Sequence, residues 1–235
     1  MIKKLIYTLL AQSSKGRMDS NKNSFWMKGI WKDHVARYAF AASIIKKGNV
    51  LDIACGEGYG SAYLSEFSTH IRGVDVSVSA IKNAKSRYGN KYKNLAYTAS
   101  DALLFLSNNK ESFETIISFE TIEHIKKYEE FLFLIKKNLK KSGTFILSTP
   151  NKLFSNLFAG GTFNPYHVNE FYTNELVDLV TKVFGNKVSI YLQRPVKKKR
   201  LVIGALMNMI FHTESSIRKY SEDFEGLGIL LVVRT

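Results

Sequence analysis

The sequence predicts one doubly wound α/β domain built on a largely parallel sheet of seven strands, and three observations predict it. Short apolar runs alternate with stretches that are apolar at helical spacing, from Asn49 to the C-terminus. A glycine-rich turn follows the first run directly. The 235 residues suffice for a single well-buried domain with appendages and are too few for two comfortable ones.

Taken in order, residues 1–28 read as a basic, loosely structured arm and 29–235 as the domain. The start, Met1 to Ala11, imitates a secretion signal with two lysines and a short apolar stretch. Tyr7 and Thr8 interrupt that stretch, so a docked or surface-lying helix is expected instead. His34–Ile45 reads as a helix, Val50–Ala54 as the first strand, and Tyr59–Phe67 as a helix after the glycine turn. His70–Val74 is the second strand, followed by a helix through Ala80, Ile81, Ala84 and Tyr88. Asn94–Thr98 and Phe113–Phe119 are strands three and four. Tyr128–Leu139 sets Phe131, Leu132, Ile135 and Leu139 on one face, with Gly143 expected as a left-handed cap. Thr144–Ser148 is the fifth strand, residues 151–172 a long irregular loop of the kind that carries function. Thr173–Phe184 is a helix, and Lys187–Leu192 and Gly228–Arg234 complete the sheet. Residues 195–226 form a basic insertion, partly helical around Leu201–Phe211.

Composition excludes several classes. No apolar run approaches the roughly 20 residues of a membrane span, and the apolar fraction of 45% is that of a globular chain. The single cysteine, Cys55, forms no intrachain disulfide, which suits a reducing, cytoplasmic setting. The net charge of +14 is unevenly spread: residues 1–48 carry +8, residues 195–219 carry +5, and the remainder is nearly neutral. Such localisation fits either unconstrained lysine-rich decoration or an anionic partner met by both segments.

The chemistry-bearing residues begin at the turn Asp52-Ile53-Ala54-Cys55-Gly56-Glu57-Gly58-Tyr59-Gly60. A strand feeding a glycine turn and then a helix brings backbone amides close to a ligand. Asp75 ends the second strand, where a carboxylate can accept both hydroxyls of a ribose, with Val76 beside it. Asp101 and Ala102 follow the third strand, where the carboxylate can receive an exocyclic adenine amine. A nicotinamide dinucleotide site shares the first two features, yet its fingerprint wants Gly or Ala where Ser61 stands. It also has no use for the acid at Asp52, whereas a sulfonium amino acid carries an ammonium group that suits one. The adenosyl group of a methyl donor, S-adenosyl-L-methionine, fits the set better.

Residues 30–192 resemble class I S-adenosyl-L-methionine-dependent methyltransferases. The resemblance is strongest to a subgroup associated with sugar and polysaccharide modification. It is carried by Arg37-Tyr38-Ala39-Phe40, Leu51–Gly60, Ser118-Phe119-Glu120-Thr121-Ile122-Glu123-His124-Ile125, Ser148-Thr149-Pro150-Asn151 and Asn164-Pro165-Tyr166-His167-Val168-Asn169-Glu170-Phe171. The resemblance implies a Rossmann-like sheet with an antiparallel last strand. It also implies a donor site including Arg37, Tyr38, Asp52, Ala54, Gly56, Gly58, Tyr59, Asp75, Val76, Asp101, Ala102, Ser118 and Glu120. Arg37 or Tyr38 would hold the donor carboxylate, although Tyr38 reads equally as a core aromatic.

Ligands of open α/β sheets sit beyond the carboxyl ends of the strands, so catalytic candidates follow strands four and five. Glu123, His124 and His167 lie there, with His167 as general base and His124 as orienter or second base. Glu120-x-x-Glu123-His124, if helical, shares one face and with His167 forms a set able to bind a divalent ion. Small-RNA 3′-terminal 2′-O-methyltransferases resemble that pattern, but Glu-His after strand four also recurs in metal-free quinone O-methyltransferases. A purely structural role, with His124 bonded to Glu170 or backbone, is the third reading. Asn151 and Asn164 are weaker acceptor-contact candidates.

The fold implied by the resemblance puts residues 195–226 over the acceptor pocket, where Lys197, Lys198, Lys199 and Arg200 would favour an anionic acceptor. The apolar Leu201–Phe211 would cover the pocket, form a homodimer contact or lie on a membrane surface. The function expected is methylation of a hydroxyl or amino group on a small or saccharide-type anionic acceptor, by a monomer or homodimer. The alternatives are a metal-assisted RNA 2′-O-methyltransferase, with Phe154, Phe158, Phe163 and Tyr166 stacking bases, and a donor-binding partner without catalysis.

Overall fold

The computed structural model describes residues 25–159, 164, 166–185, 188–204 and 215–235. Most of the expected N-terminal arm and residues 205–211 of the apolar segment lie outside them. So do Phe163 and the side chain of Phe158.

The elements are α1 (Phe25–Ile44), β1 (Asn49–Ile53), α2 (Tyr59–Leu64), β2 (His70–Asp75), α3 (Val78–Ala84), β3 (Leu95–Ala99), α4 (Ala102–Asn108), β4 (Phe113–Phe119) and α5 (Tyr128–Asn138). They continue as β5 (Leu139–Pro150), α6 (Lys152–Ala159), α7 (Thr173–Phe184), β6 (Val188–Lys197), β7 (Ile217–Lys219) and β8 (Phe224–Arg234). The strands lie in the order β3-β2-β1-β4-β5-β8-β6-β7. Neighbours from β3 to β5 are parallel, while β8 runs antiparallel to both β5 and β6. The strand order reverses at the β1–β4 seam, whose carboxyl ends form the crevice where open α/β sheets bind ligands.

Period-two alternation assigns the core to two layers. Leu51, Ile53, Ile116, Phe145, Leu147, Leu231 and Val233 face α4, α5 and α7 and meet Leu106, Phe131, Leu132, Ile135, Leu176 and Val180. Their neighbours Val50, Ile117, Ile146 and Val232 face the other way, toward Tyr38, Ala41, Ala62, Leu64, Ile81 and Ala84. Strands covered on both faces read as continuous apolar runs, which is why β1, β4 and β5 were legible.

Several local expectations need correction. The sheet has eight strands, because β7 forms inside the segment read as a basic insertion and pairs Ile217 with Gln193. β6 does not stop at Leu192: pairing with β8 carries it through Pro195 to Lys197, opposite Phe224. The loop at 151–172 contains α6, an amphipathic helix that places Phe154 in the core. α5 ends at Asn138, and β5 begins with Leu139 in extended backbone. The left-handed residue of that turn is Ser142, at φ 61°, and not Gly143. Gly143 is needed for space instead, since a Cβ there would lie 2.8 Å from the Lys140 carbonyl oxygen. α1 starts at Phe25 and takes in the last residues of the supposed arm. None of the described helices is long and apolar enough to cross a membrane.

Candidate active site

The turn after β1 is shaped by three left-handed residues, Ala54 (φ 61°), Gly56 (φ 56°) and Gly58 (φ 79°). A side chain at Gly58 would be strained by its φ, and its Cβ would lie 2.6 Å from the Tyr97 ring. Gly60 is required for a different reason: its Cβ would fall 2.0 Å from the Tyr38 ring carbon Cζ. The Tyr97 hydroxyl donates to the Gly58 carbonyl at 2.6 Å and holds the turn from β3. Asp75 ties the turn to β2, with one oxygen accepting from the Gly56 amide at 2.9 Å and the other from the Ser77 amide at 2.8 Å.

Beyond the strand ends lies a cavity of about 890 Å³. The half that the sequence reading assigns to a donor is walled by Tyr38, Ala54, Gly56, Tyr59, Asp75, Val76, Asp101 and Ala102, and Glu120 stands at the junction with the far half. Asp101 caps α4 by accepting from the Leu104 amide at 3.0 Å while remaining on the wall. Arg37, Asp52, Gly58 and Ser118 stand behind the wall, not on it. Asp52 is 1% exposed and accepts from Ser61 Oγ at 2.6 Å and from the Tyr38 hydroxyl at 3.2 Å. Its carboxylate is thus spent on the protein's own hydroxyls, and burial pushes its pKa up to about 7. Ser61, which argued against a dinucleotide, is the residue that holds it. Burial, then the Asp52 charge, raises the Tyr38 hydroxyl well above its ordinary value.

The far half is lined by Glu120, Thr121, Glu123, His124, Asn164, Tyr166 and His167. The expected helix across Glu120–His124 is absent. Ile122–His124 is a single 3-10 turn, and Glu120 precedes it in left-handed backbone at φ 50°. Glu120 therefore leaves the group: its Oε1 accepts from Ser148 Oγ at 2.7 Å and lies 3.5 Å from Arg37 Nη1. Glu123, His124 and His167 do converge, each offering a ligand atom within 4.8 Å of the others.

The long loop reaches this turn through main-chain bonds from the Val168 and Asn169 amides to the Glu123 carbonyl, at 2.9 and 3.1 Å. His124 Nδ1 lies 3.0 Å from the Tyr166 carbonyl, and His167 Nδ1 lies 2.8 Å from Glu170 Oε1. Of the partners considered for His124, the backbone is the one it takes. Glu170 serves His167 instead. Both partners are oxygen acceptors, so each Nδ1 is the nitrogen that donates, and at His124 this leaves Nε2 with its lone pair. The two rings meet edge to face at 4.9 Å between centroids. Burial, then the neighbouring His167, lowers the His124 pKa and keeps that ring neutral at pH 7. Glu123 is fully enclosed, with Oε2 accepting from Thr149 Oγ1 at 3.0 Å and Oε1 without a partner among the described residues. Burial, then Glu120, raises its pKa well above the ordinary carboxylate range.

Asn164 is on the wall, but Asn151 is not: it is buried and bonded to Gly226, Glu225 and Thr173. None of the described residues of 195–226 lines the cavity. Lys198 lies beside a separate cleft with Asn151, Tyr172 and Tyr220, paired with Glu225 at 3.5 Å. The expected placement of that basic cluster over the pocket is therefore not seen in the described residues. The sequence reading also missed His34, which lines the donor half and sits 2.8 Å from the Tyr59 hydroxyl. Its only signal was a place one helical turn before Tyr38.

Residues 44–199 match the methyltransferase-domain family. A Mycolicibacterium smegmatis protein named "probable S-adenosylmethionine-dependent methyltransferase" is 25% identical over 162 residues, which is 68% of this chain and 58% of that protein. A ubiquinone biosynthesis O-methyltransferase of Coxiella burnetii is 29% identical over 110 residues, 47% of each chain. The chain's match thus spans less than two thirds of these relatives' length. A Thermotoga maritima structure described as "SAM-dependent methyltransferase, possible histamine N-methyltransferase" superposes with a TM-score of 0.66. It covers 98% of both chains at 14% identity, a likeness of fold. The family match takes in most of the sheet and the whole donor turn, and the chain belongs to the methyltransferase-domain family.

Proposed function

We propose that the chain is an S-adenosyl-L-methionine-dependent methyltransferase acting on a hydroxyl or amino group of a small, saccharide-type acceptor. The observation that carries the reading is one cavity with the glycine turn, Asp75 and Asp101 at one end and two imidazoles, each held through Nδ1, at the other. Asp75 would take the ribose hydroxyls and Asp101 the adenine amine, with Ala54 and Gly56 backbone against the methionine portion.

For a hydroxyl acceptor, the oxygen attacks the methyl carbon in line as the carbon–sulfur bond breaks, releasing S-adenosylhomocysteine. The acceptor proton passes to His167 Nε2, and Glu170 stabilises the imidazolium that forms. His124 orients the acceptor or serves as the second base. In-line positioning supplies much of the acceleration. The saccharide class rests on the sequence blocks alone. An anionic acceptor draws no support from the described wall, which carries no lysine or arginine.

A second reading is favoured by one observation: the unpartnered Oε1 of enclosed Glu123, with His124 and His167 in ligand reach of it. These three residues suit a divalent ion, and the oxygen acceptors on both Nδ1 atoms are the outer partners metal-bound imidazoles use. When bound, such an ion would lower the pKa of an acceptor hydroxyl.

Labelled donor with pooled nucleotide sugars, RNA, quinone precursors and lipid extracts, with and without chelator, tests both. Label in a small acceptor that survives chelation supports the first reading. Label in RNA that vanishes with chelator overturns it in favour of the second. Tight donor binding with no label anywhere supports a partner subunit without catalysis.

A further inference from the structure

All of α1 but its last residue lies outside the segment that matches the family, yet it supplies His34 and Tyr38 to the cavity wall. Besides its core contacts through Tyr38 and Ala41, it is bonded to two consecutive residues of β6. Arg37 Nη1 donates to Gln193 Oε1 at 2.6 Å, Gln193 Nε2 donates to the Asp33 carbonyl at 2.9 Å, and Arg194 Nε donates to Asp33 Oδ1 at 2.6 Å. Arg37, Gln193 and Arg194 are all buried.

Neighbouring side chains on a regular strand point to opposite faces, so Gln193 and Arg194 should not both reach one helix. They do so because Arg194 stands at φ 49°, in left-handed backbone that non-glycine residues rarely occupy. The helix is matched to this geometry by its own period. Asp33 and Arg37, four residues apart, form the stripe that meets β6. His34 and Tyr38, each one residue further on, form the adjacent stripe that faces the cavity. The same β6 pair is bound on its other side: Gln193 Nε2 donates to Ser215 Oγ at 2.8 Å and the Arg194 amide to the Ser216 carbonyl at 2.9 Å.

We infer that Gln193 and Arg194 are positioning residues of the methyl-donor site. They form a polar latch that holds α1 against the donor cavity from a strand some 150 residues away in the chain. The inference rests on the donor reading above. Neither residue touches the cavity, and both act through Asp33 and Arg37 on His34 and Tyr38. Donor affinity is therefore set partly by a strand remote from the glycine turn, and the kinked backbone at Arg194 brings both side chains to one face.

The test is calorimetric titration of S-adenosylhomocysteine into the full chain, with Arg194→Met, Gln193→Met and Asp33→Ala, and Arg194→Lys as the conservative control. Asp33→Ala removes the Arg194 contact from its partly exposed side, leaving the Gln193 bond to the Asp33 carbonyl, and protects against a buried variant that does not fold. The expected result is donor-product affinity weakened by about tenfold or more in the breaking variants and partly restored in Arg194→Lys. Amide exchange should rise in α1 while that of β1, β4 and β5 stays at the wild-type level. In turnover, the KM for donor should rise with kcat at saturating donor retained. Wild-type protein that binds no S-adenosylhomocysteine overturns the donor reading, and the latch with it. Tight wild-type binding that Asp33→Ala and the buried variants leave unchanged overturns the latch alone. A rise in exchange across the whole sheet, with no change confined to α1, also overturns it.

Discussion

Replacing Asp52 by Asn should make the ligand-free protein more stable, by a margin that grows as pH rises to about 7 and is constant above it. Asp52 is enclosed beneath the donor turn with two hydroxyl donors and no cation against it. Burial raises its carboxyl from an ordinary 3.8 to about 7. The folded chain therefore keeps a proton that the unfolded chain has released between those two values, so stability falls as pH rises through the window. The side chain imposes no cost below the unfolded value, and its full cost is reached above the folded one. At roughly 1.4 kcal/mol per unit, the whole window amounts to about 4 kcal/mol, and the interval from pH 5 to pH 8 to about 3 kcal/mol. Asn cannot ionise, yet its carbonyl can still accept from Ser61 and its amide can donate to the Tyr38 hydroxyl. Urea unfolding of wild type and Asp52→Asn at intervals from pH 5 to pH 8 measures the difference. The variant should gain on the wild type by about 3 kcal/mol across that range. A difference flat with pH, or one that shrinks, would mean that Asp52 is ionised in the fold at its ordinary value and would refute the burial argument.

Three further outcomes follow from the same geometry. Gly60→Ala sets a methyl group against the Tyr38 ring, and should lower unfolding stability by about 1–3 kcal/mol while weakening donor-product binding. His167→Ala should reduce kcat by about 10²–10⁴ with S-adenosylhomocysteine affinity unchanged, and turnover retained at wild-type rate would remove His167 from the base role. Neutralising Lys197, Lys198 and Lys199 together should leave the KM of a small acceptor unaltered, since Lys198 borders a separate cleft and none of the three lines the cavity. A clear rise in that KM would show that the basic segment reaches the acceptor after all.

The residues assigned to the donor half could be named because the segments that carry them are local. The turn from Asp52 to Gly60, Asp75 at a strand end and Asp101 at a helix start are each declared by residues within a few positions of one another. Of the residues assigned to the acceptor half, Glu123, His124 and His167 come together and Glu120 does not join them. Glu120, Glu123 and His124 have helical spacing, but the backbone at Glu120 is left-handed, which turns its carboxylate toward Ser148 and Arg37. His124 was left with Glu170 or backbone as its partner and takes the backbone, because a bond across three residues of loop and one across some forty leave the same mark on composition.

The strands β1 to β5, the helices on their two faces and the donor turn were determined by the sequence itself. Periodic burial and the conformational demands of glycine are properties of contiguous residues. Tertiary structure alone decided the eighth strand, the extension of β6, and the partners of Asp52, Glu123 and Gln193. Each of those depends on which distant group meets a buried polar atom once the sheet has formed. The physical reason is the same in every case: a polar side chain taken out of water must find a partner, and its own neighbours in the chain do not say which one.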